Sequence, residues 1–189
     1  MAFEKLVQSI KPVIALSKDE EQLMFSLFEI KQVKKNEHFL KEGNVCNAIA
    51  FVNEGGLIYY KLTDDGKEVT TDFAFASDWV CDNRSRLNHS KSFINIKAIE
   101  DSELFIISAE NLEDSYKRIP KLERLGRVLT EQAFIKITRQ SIDLQTLSAH
   151  QRYKKLLEEY PEIFQKVPLY HIANYLGIAP KSLSRIRKR

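Results

Sequence analysis

Cysteine is scarce in this sequence. Cys46 and Cys81 are the only two among 189 residues, too few for a disulfide framework, a four-thiolate iron-sulfur cluster or a four-cysteine zinc site. A reducing compartment is expected, with two ordinary buried thiols favoured over a redox pair. Glycine (6) and proline (5) are also sparse, which excludes collagen-like and low-complexity chains. No apolar run approaches the about 18 residues of a membrane span, and MAFEKLVQSIKPVIALSKDEE carries charges inside each apolar stretch. A soluble, cytoplasmic protein with no membrane partner is expected. The four histidines, His38, His89, His150 and His171, are dispersed, so no metal or haem site is expected and no cofactor is assigned. HxH, HExxH, GxxxxGK, GxSxG and GxGxxG are all missing, which argues against an enzyme, including a cupin-like one.

What is present is an ordinary globular composition, 43% apolar and 29% charged, in a length that suits one large domain or a medium one with an appendage. The net charge of +3 is unevenly spread. From Ser148 to Arg189 there are nine basic residues (Arg152, Lys154, Lys155, Lys166, Lys181, Arg185, Arg187, Lys188, Arg189) against Glu158, Glu159 and Glu162, leaving that stretch at +6 and the remainder at −3. Such asymmetry suits a surface that meets polyanions, or simply a solvated helix end.

Residues 1–27 read as helix, with Ser17 and Glu20 spaced as a capping box. From about Glu29 the period changes. FLKE, AIAFVNE, LIYYKL, EVTTDFAFA, FINIKAIE and ELFIIS are rich in β-branched and aromatic residues and separated by turn residues, which predicts a sandwich or barrel of short strands. Asp65-Gly66 predicts a type I′ hairpin with positive φ at both central positions. After Ser108 the pattern turns helical. Ser108 opens a short helix, and a long one runs from Pro120 to about Leu147, its apolar residues covering more of the circumference than one core-facing stripe needs. Val128, Ile135 and Ile142 recur every seven residues, as do Ile137 and Leu144, predicting a second seam for a partner helix and hence a homodimer, against packing within the chain alone. HQRYKKLLEEYPEIFQKV then reads as one further helix.

Residues 167–189, VPLYHIANYLGIAPKSLSRIRKR, carry the most specific pattern. Pro168 opens a short helix, Gly177 supplies the left-handed residue after it, Ile178 anchors the turn, and Pro180 takes the first position of the next helix. Leu183 and Ile186 face inward. Lys181, Ser182, Ser184, Arg185 and Lys188 are left on outer faces. The pattern is a helix-turn-helix, whose second helix fits a major groove.

The β-segments with DDGKEV and DFAFASDWVCD, the long helix and YHIANYLGIAPKSLSRI together resemble the Crp-Fnr superfamily of bacterial transcription regulators over nearly the whole chain. The resemblance implies an α+β fold with three parts. Residues 1–119 form an antiparallel β-roll (a double-stranded, jelly-roll-like β-helix) of the cyclic-nucleotide-binding type, 120–147 a dimerisation helix, and 148–189 a helix-turn-helix domain. Double-stranded DNA, a second copy of the chain, RNA polymerase and a small-molecule effector are the implied partners. The implied DNA-contacting positions are Pro180, Lys181, Arg185 and Lys188, with Ala179 and Ser182 near phosphate. Arg185 matches the family pattern, whereas Pro180 and Lys181 replace its usual Arg-Glu. The sequence given ends at Arg189, without the β-hairpin wing that commonly follows the motif, so weak backbone contacts are expected.

Relatives that bind cyclic AMP hold the ribose with a Gly-Glu pair and the phosphate with an Arg-Ser or Arg-Thr pair. Here Cys81 and Asp82 occupy the first pair and Ser92 and Phe93 the second, with Lys91, Arg84 and Arg86 as the nearby cations. Without a bidentate guanidinium, a buried cyclic phosphate is poorly paired, so an effector other than cyclic AMP is expected in this degenerate cassette of Cys81, Asp82, Lys91, Ser92 and Phe93. The alternative is a sensor or scaffold module that keeps the fold without binding DNA. The basic second helix of the motif favours the DNA-binding reading.

Overall fold

The structure is a computed structural model and describes residues 3–187. Where one N-terminal helix is expected, two form, α1 (Glu4–Ile10) and α2 (Lys18–Ser26). Pro12 lies between them and has no N–H for a helical ladder. Ser17 restarts the helix through a complete capping box. Its N–H donates to Glu20 Oε2 at 2.7 Å, and the Glu20 N–H donates to Ser17 Oγ at 3.2 Å.

Eight antiparallel strands then build two four-stranded sheets. β1 (Glu29–Val33), β3 (Ala48–Glu54), β6 (Trp79–Val80) and β8 (Ser102–Ser108) form one in the order β1-β8-β3-β6. β2 (His38–Leu40), β4 (Gly56–Leu62), β5 (Glu68–Phe75) and β7 (Asn95–Ala98) form the other in the order β2-β7-β4-β5. A short helix, α3 (Asn83–Asn88), links β6 to β7. The apolar runs are nearly continuous because both faces of the central strands are covered. Ala50, Val52, Leu57, Ala74, Ile96 and Leu104 meet between the sheets. Alternate residues point the other way, Phe51 and Phe105 under Leu6, Ile10, Met24 and Leu122, and Ile58, Tyr60 and Phe73 under the C-terminal helices. β1 was not legible as a strand because only Val33 in it is buried.

The β4–β5 hairpin departs from the type I′ expectation. Among the described loop residues only Gly66 has positive φ (78°), and its N–H donates to Thr63 O at 2.8 Å while the Thr63 N–H donates to Lys67 O at 3.0 Å. The left-handed glycine thus follows a tight turn instead of sharing its centre with Asp65. Gly55 (φ 92°) joins β3 to β4, and a Cβ there would lie 2.7 Å from the Ser102 Cα, so only glycine fits.

After β8, Ser108 Oγ accepts from the Asn111 N–H (3.0 Å) and caps α4 (Ala109–Arg118). α5 (Lys121–Thr146) is 26 residues long, about 39 Å. The stretch read as one further helix is two, α6 (Ala149–Glu159) and α7 (Ile163–Lys166), because Pro161 interrupts it. α8 (Leu169–Tyr175) and α9 (Pro180–Arg187) follow. The tail lies on the outer face of β5, where Phe73 meets Tyr175 (ring centroids 4.9 Å apart) and Phe75 meets Tyr160 (5.4 Å). Among the described residues, no helix is long and apolar enough to cross a membrane.

Candidate nucleic-acid interface and sensor cavity

The turn between α8 and α9 is fixed by backbone chemistry. Gly177 takes φ 65°, which lets the Ile178 N–H reach Ala173 O (3.0 Å) and its own N–H reach Asn174 O (2.9 Å), the paired bonds of a Schellman cap. Ala179 O then accepts from the Ser182 N–H at 2.9 Å and starts α9, with Pro180 where no N–H is required. Leu183 is buried in the tail core and Ile186 is half-buried, which fixes the helix rotation. Ala179, Pro180, Lys181, Ser184 and Arg185 are exposed and Ser182 is half-buried. Lys188 lies outside the described residues.

The tail's positive charge divides by role. Arg152 is internal, its guanidinium donating to Leu176 O (2.8 Å) and to Leu147 O, so it caps the ends of α8 and α5. Lys155 pairs with Asp143 at 2.7 Å, and Lys166 with Glu162 at 3.4 Å. The Arg187 guanidinium lies 4.5 Å from the centre of the Phe164 ring. Lys181 and Arg185 have no side-chain partner among the described residues.

In the roll, Asp82 and Ser92, two of the residues expected to form a degenerate cassette, satisfy each other. Asp82 is buried and caps α3. Its Oδ1 accepts from the Ser85 N–H (3.1 Å) and its Oδ2 from the Ser92 hydroxyl (2.8 Å). Ser92 Oγ in turn accepts from the Ile94 N–H at 3.1 Å. The Arg84 guanidinium donates to Lys91 O (2.6 Å) and stacks over Phe93 at 4.2 Å. Lys91 and Phe93 are exposed. The Cys81 thiol donates to Asn83 Oδ1 at 3.2 Å, and burial pushes its pKa up to about 12. The Cys46 thiol donates to Ala48 O at 3.3 Å, and burial raises its pKa too. Both cysteines are free thiols, protonated near neutral pH.

A cavity of about 860 Å³ separates the roll from α5, with Trp79, Phe93, Leu129 and Ala133 among its walls. Sequence reading named Arg86 only as a cation near the cassette and missed Tyr116 on α4 and Lys136 on α5. Lys136 donates to both Asp72 oxygens at 3.0 Å and to the Tyr160 hydroxyl at 3.3 Å, linking α5 to β5 and to the tail. No local pattern announces a contact between residues 72 and 136. Along its length α5 buries only Leu122 and Leu125 and leaves Phe134 70%, Ile137 62% and Leu144 53% exposed.

The architecture is that of a cyclic-nucleotide-binding-type roll joined by a long helix to a helix-turn-helix. Comparison with known proteins agrees. Residues 30–118 match the cyclic nucleotide-binding domain family. The transcriptional activator protein Anr of Pseudomonas aeruginosa is 26% identical over 183 residues, 88% of this chain and 73% of that protein. Among solved structures, FixK2 from Bradyrhizobium japonicum superposes with a TM-score of 0.73 at 18% identity, covering 85% of this chain and 83% of that one. A Crp/Fnr-family putative transcriptional regulator from Eubacterium rectale superposes at 0.68 with 23% identity, covering 92% and 82%. Over most of its length the chain is thus similar to Crp/Fnr-type transcription regulators.

Proposed function

We propose that the protein is a cytoplasmic homodimer that reads a pseudo-palindromic DNA site through α9 and passes the result to RNA polymerase. Residues 1–119 act as the sensor, 120–147 as the dimer helix and 148–189 as the reading head. Ala179, Pro180, Lys181, Ser182, Arg185 and Lys188 form the DNA face, and Cys81, Asp82, Lys91, Ser92 and Phe93 the former nucleotide cassette. The observation that carries the reading is the pair of unpartnered cations, Lys181 and Arg185, on a helix whose opposite face is pinned by Leu183. Two such helices related by a two-fold axis meet half-sites about 34 Å apart. Selection of bound sequences from random duplex DNA tests this. A palindromic consensus is expected, and no enrichment over the input pool would reject it.

The same reading excludes cyclic AMP as effector. Asp82 and Ser92 are engaged with each other and with backbone amides. A cyclic phosphate would have to break those bonds without a guanidinium at the anchor position to replace them. Calorimetry is expected to give no binding in the micromolar range, and a micromolar dissociation constant would overturn this part.

A further inference from the structure

The cavity between α5 and the roll holds a cation with no direct ion-pair partner among the described residues. Arg86 projects from α3 and lines this space. Its hydrogen bonds go to neutral groups, from Nη2 to Asn83 Oδ1 at 3.2 Å and to the Cys81 sulfur, and its Nε is buried with no partner. No carboxylate among the described residues lies within ion-pair distance of it. The other cations at the cavity are committed, Lys136 to Asp72 and Arg84 to Lys91 O and the Phe93 ring. A half-satisfied guanidinium against apolar walls is costly unless an anion completes it. Tyr116 lines the same space, and its hydroxyl has no hydrogen-bond partner among the described residues. The phenol lies over Gly126 of α5, where a Cβ would come within 2.5 Å of its oxygen.

We propose that this cavity binds a small amphipathic monocarboxylate, its carboxylate on the Arg86 guanidinium and the Tyr116 hydroxyl and its apolar body against Leu129, Ala133 and Trp79. The inference rests on the regulator reading and names the effector class for it. The volume suits a drug-sized molecule, for which pockets of about 300–1,000 Å³ are usual. One unpaired guanidinium matches one negative charge. A dianion would in addition face Asp78 and Asp82, which line the same space. A ligand so placed touches α3, α4 and α5 at once, and α5 is the helix whose Lys136 holds β5 and Tyr160 of the tail.

The test is calorimetry on the full chain with decanoate and 4-phenylbutyrate, each against its neutral primary amide. At least one acid is expected to bind at one per chain, ten-fold or more tighter than its amide. Arg86→Gln should bring the acid down to the affinity of the amide, and Tyr116→Phe should weaken it about three-fold. Ala133→Trp fills the cavity without touching Arg86, should abolish binding of both acids, and decides the matter if Arg86→Gln fails to fold. Binding of neither acid up to millimolar concentration, equal affinity for acid and amide, or unchanged binding in the folded Arg86→Gln or Ala133→Trp protein would overturn the proposal. Duplex selection with and without added acid separates the two readings. Enriched DNA without acid binding sinks only the ligand class, and acid binding with no enriched DNA in either arm sinks the regulator reading.

Discussion

Arg185 and Lys181 stand one helical turn apart on the exposed side of α9, yet different consequences are expected from removing each. Arg185, farther along the helix, can place a fork of donors on a guanine edge, so Arg185→Ala is expected to cost roughly 1–3 kcal/mol per half-site and to relax one base position. Lys181 is exposed at the helix start, where it would meet either a base or a phosphate. For a phosphate contact, Lys181→Ala should weaken all duplexes alike and lower the salt slope by about one per contact. Competition between specific and scrambled duplexes at two salt concentrations separates them, and equal losses on both duplexes for Arg185→Ala would remove Arg185 from base reading. Arg152 provides the contrast. Counted by charge it belongs to the basic tail, but its guanidinium holds the Leu147 and Leu176 carbonyls. Arg152→Ala should therefore destabilise the fold, by about 1.5–3 kcal/mol for charged hydrogen bonds. Denaturant unfolding checks this, and an unchanged midpoint would contradict it.

Among the elements, α5 carries more apolar surface than the roll can cover. Its first two turns bury Leu122 and Leu125 under the sheet, whereas Phe134, Ile135, Ile137, Ile142 and Leu144 remain more than half open to water or at that margin. Exposed apolar residues grouped on one helix call for a partner surface, and the seven-residue spacings supply a seam for an identical helix. Phe134→Glu combined with Ile137→Glu is expected to give a folded monomer in sedimentation velocity at micromolar concentration, where the parent chain sediments as a dimer. A parent chain that is itself monomeric there would refute the dimer. The seven-residue spacing is legible in the sequence. Which part of the helix packs on the roll is not, because apolar residues recur along its whole length.

At the scale of the molecule, the tail helices share one apolar cluster with the outer face of β4 and β5, and polar contacts fix its register. His171 Nδ1 meets Thr70 Oγ1 at 2.6 Å, and the Asn174 side chain donates to Glu68 O at 2.8 Å. Burial lowers the His171 pKa from 6.5 to about 4. Between those values the unfolded chain takes up a proton that the folded one refuses. This contribution is complete above about pH 6.5 and is lost as the pH falls toward about 4. Urea midpoints at pH 7.5, 5.5 and 4.5 should fall more steeply for the parent chain than for His171→Gln, whose amide can still bond Thr70. Parallel slopes would show that His171 does not set this dependence.

The sequence by itself determined the features whose physics is local. Ser17 with Glu20, Gly177 after α8, the prolines at 168 and 180 and the alternating strand runs each act over a few residues, through a cap, a positive φ, a missing N–H or a two-residue period. They placed the roll, the long helix and the helix-turn-helix, and only the family resemblance implied that Ser92 and Phe93 stand where an Arg-Ser pair is usual. Pro12 and Pro161 carried equally local information, but apolar spacing on either side of each suggested a continuous helix. Tertiary structure alone decided the contacts between distant residues. It set Thr70 against His171, tied Lys136 to Asp72, closed Asp82 onto Ser92, turned Arg152 inward and left Arg86 without an anion. Those pairings depend on how sheets and helices pack in three dimensions, and no spacing along the chain encodes them.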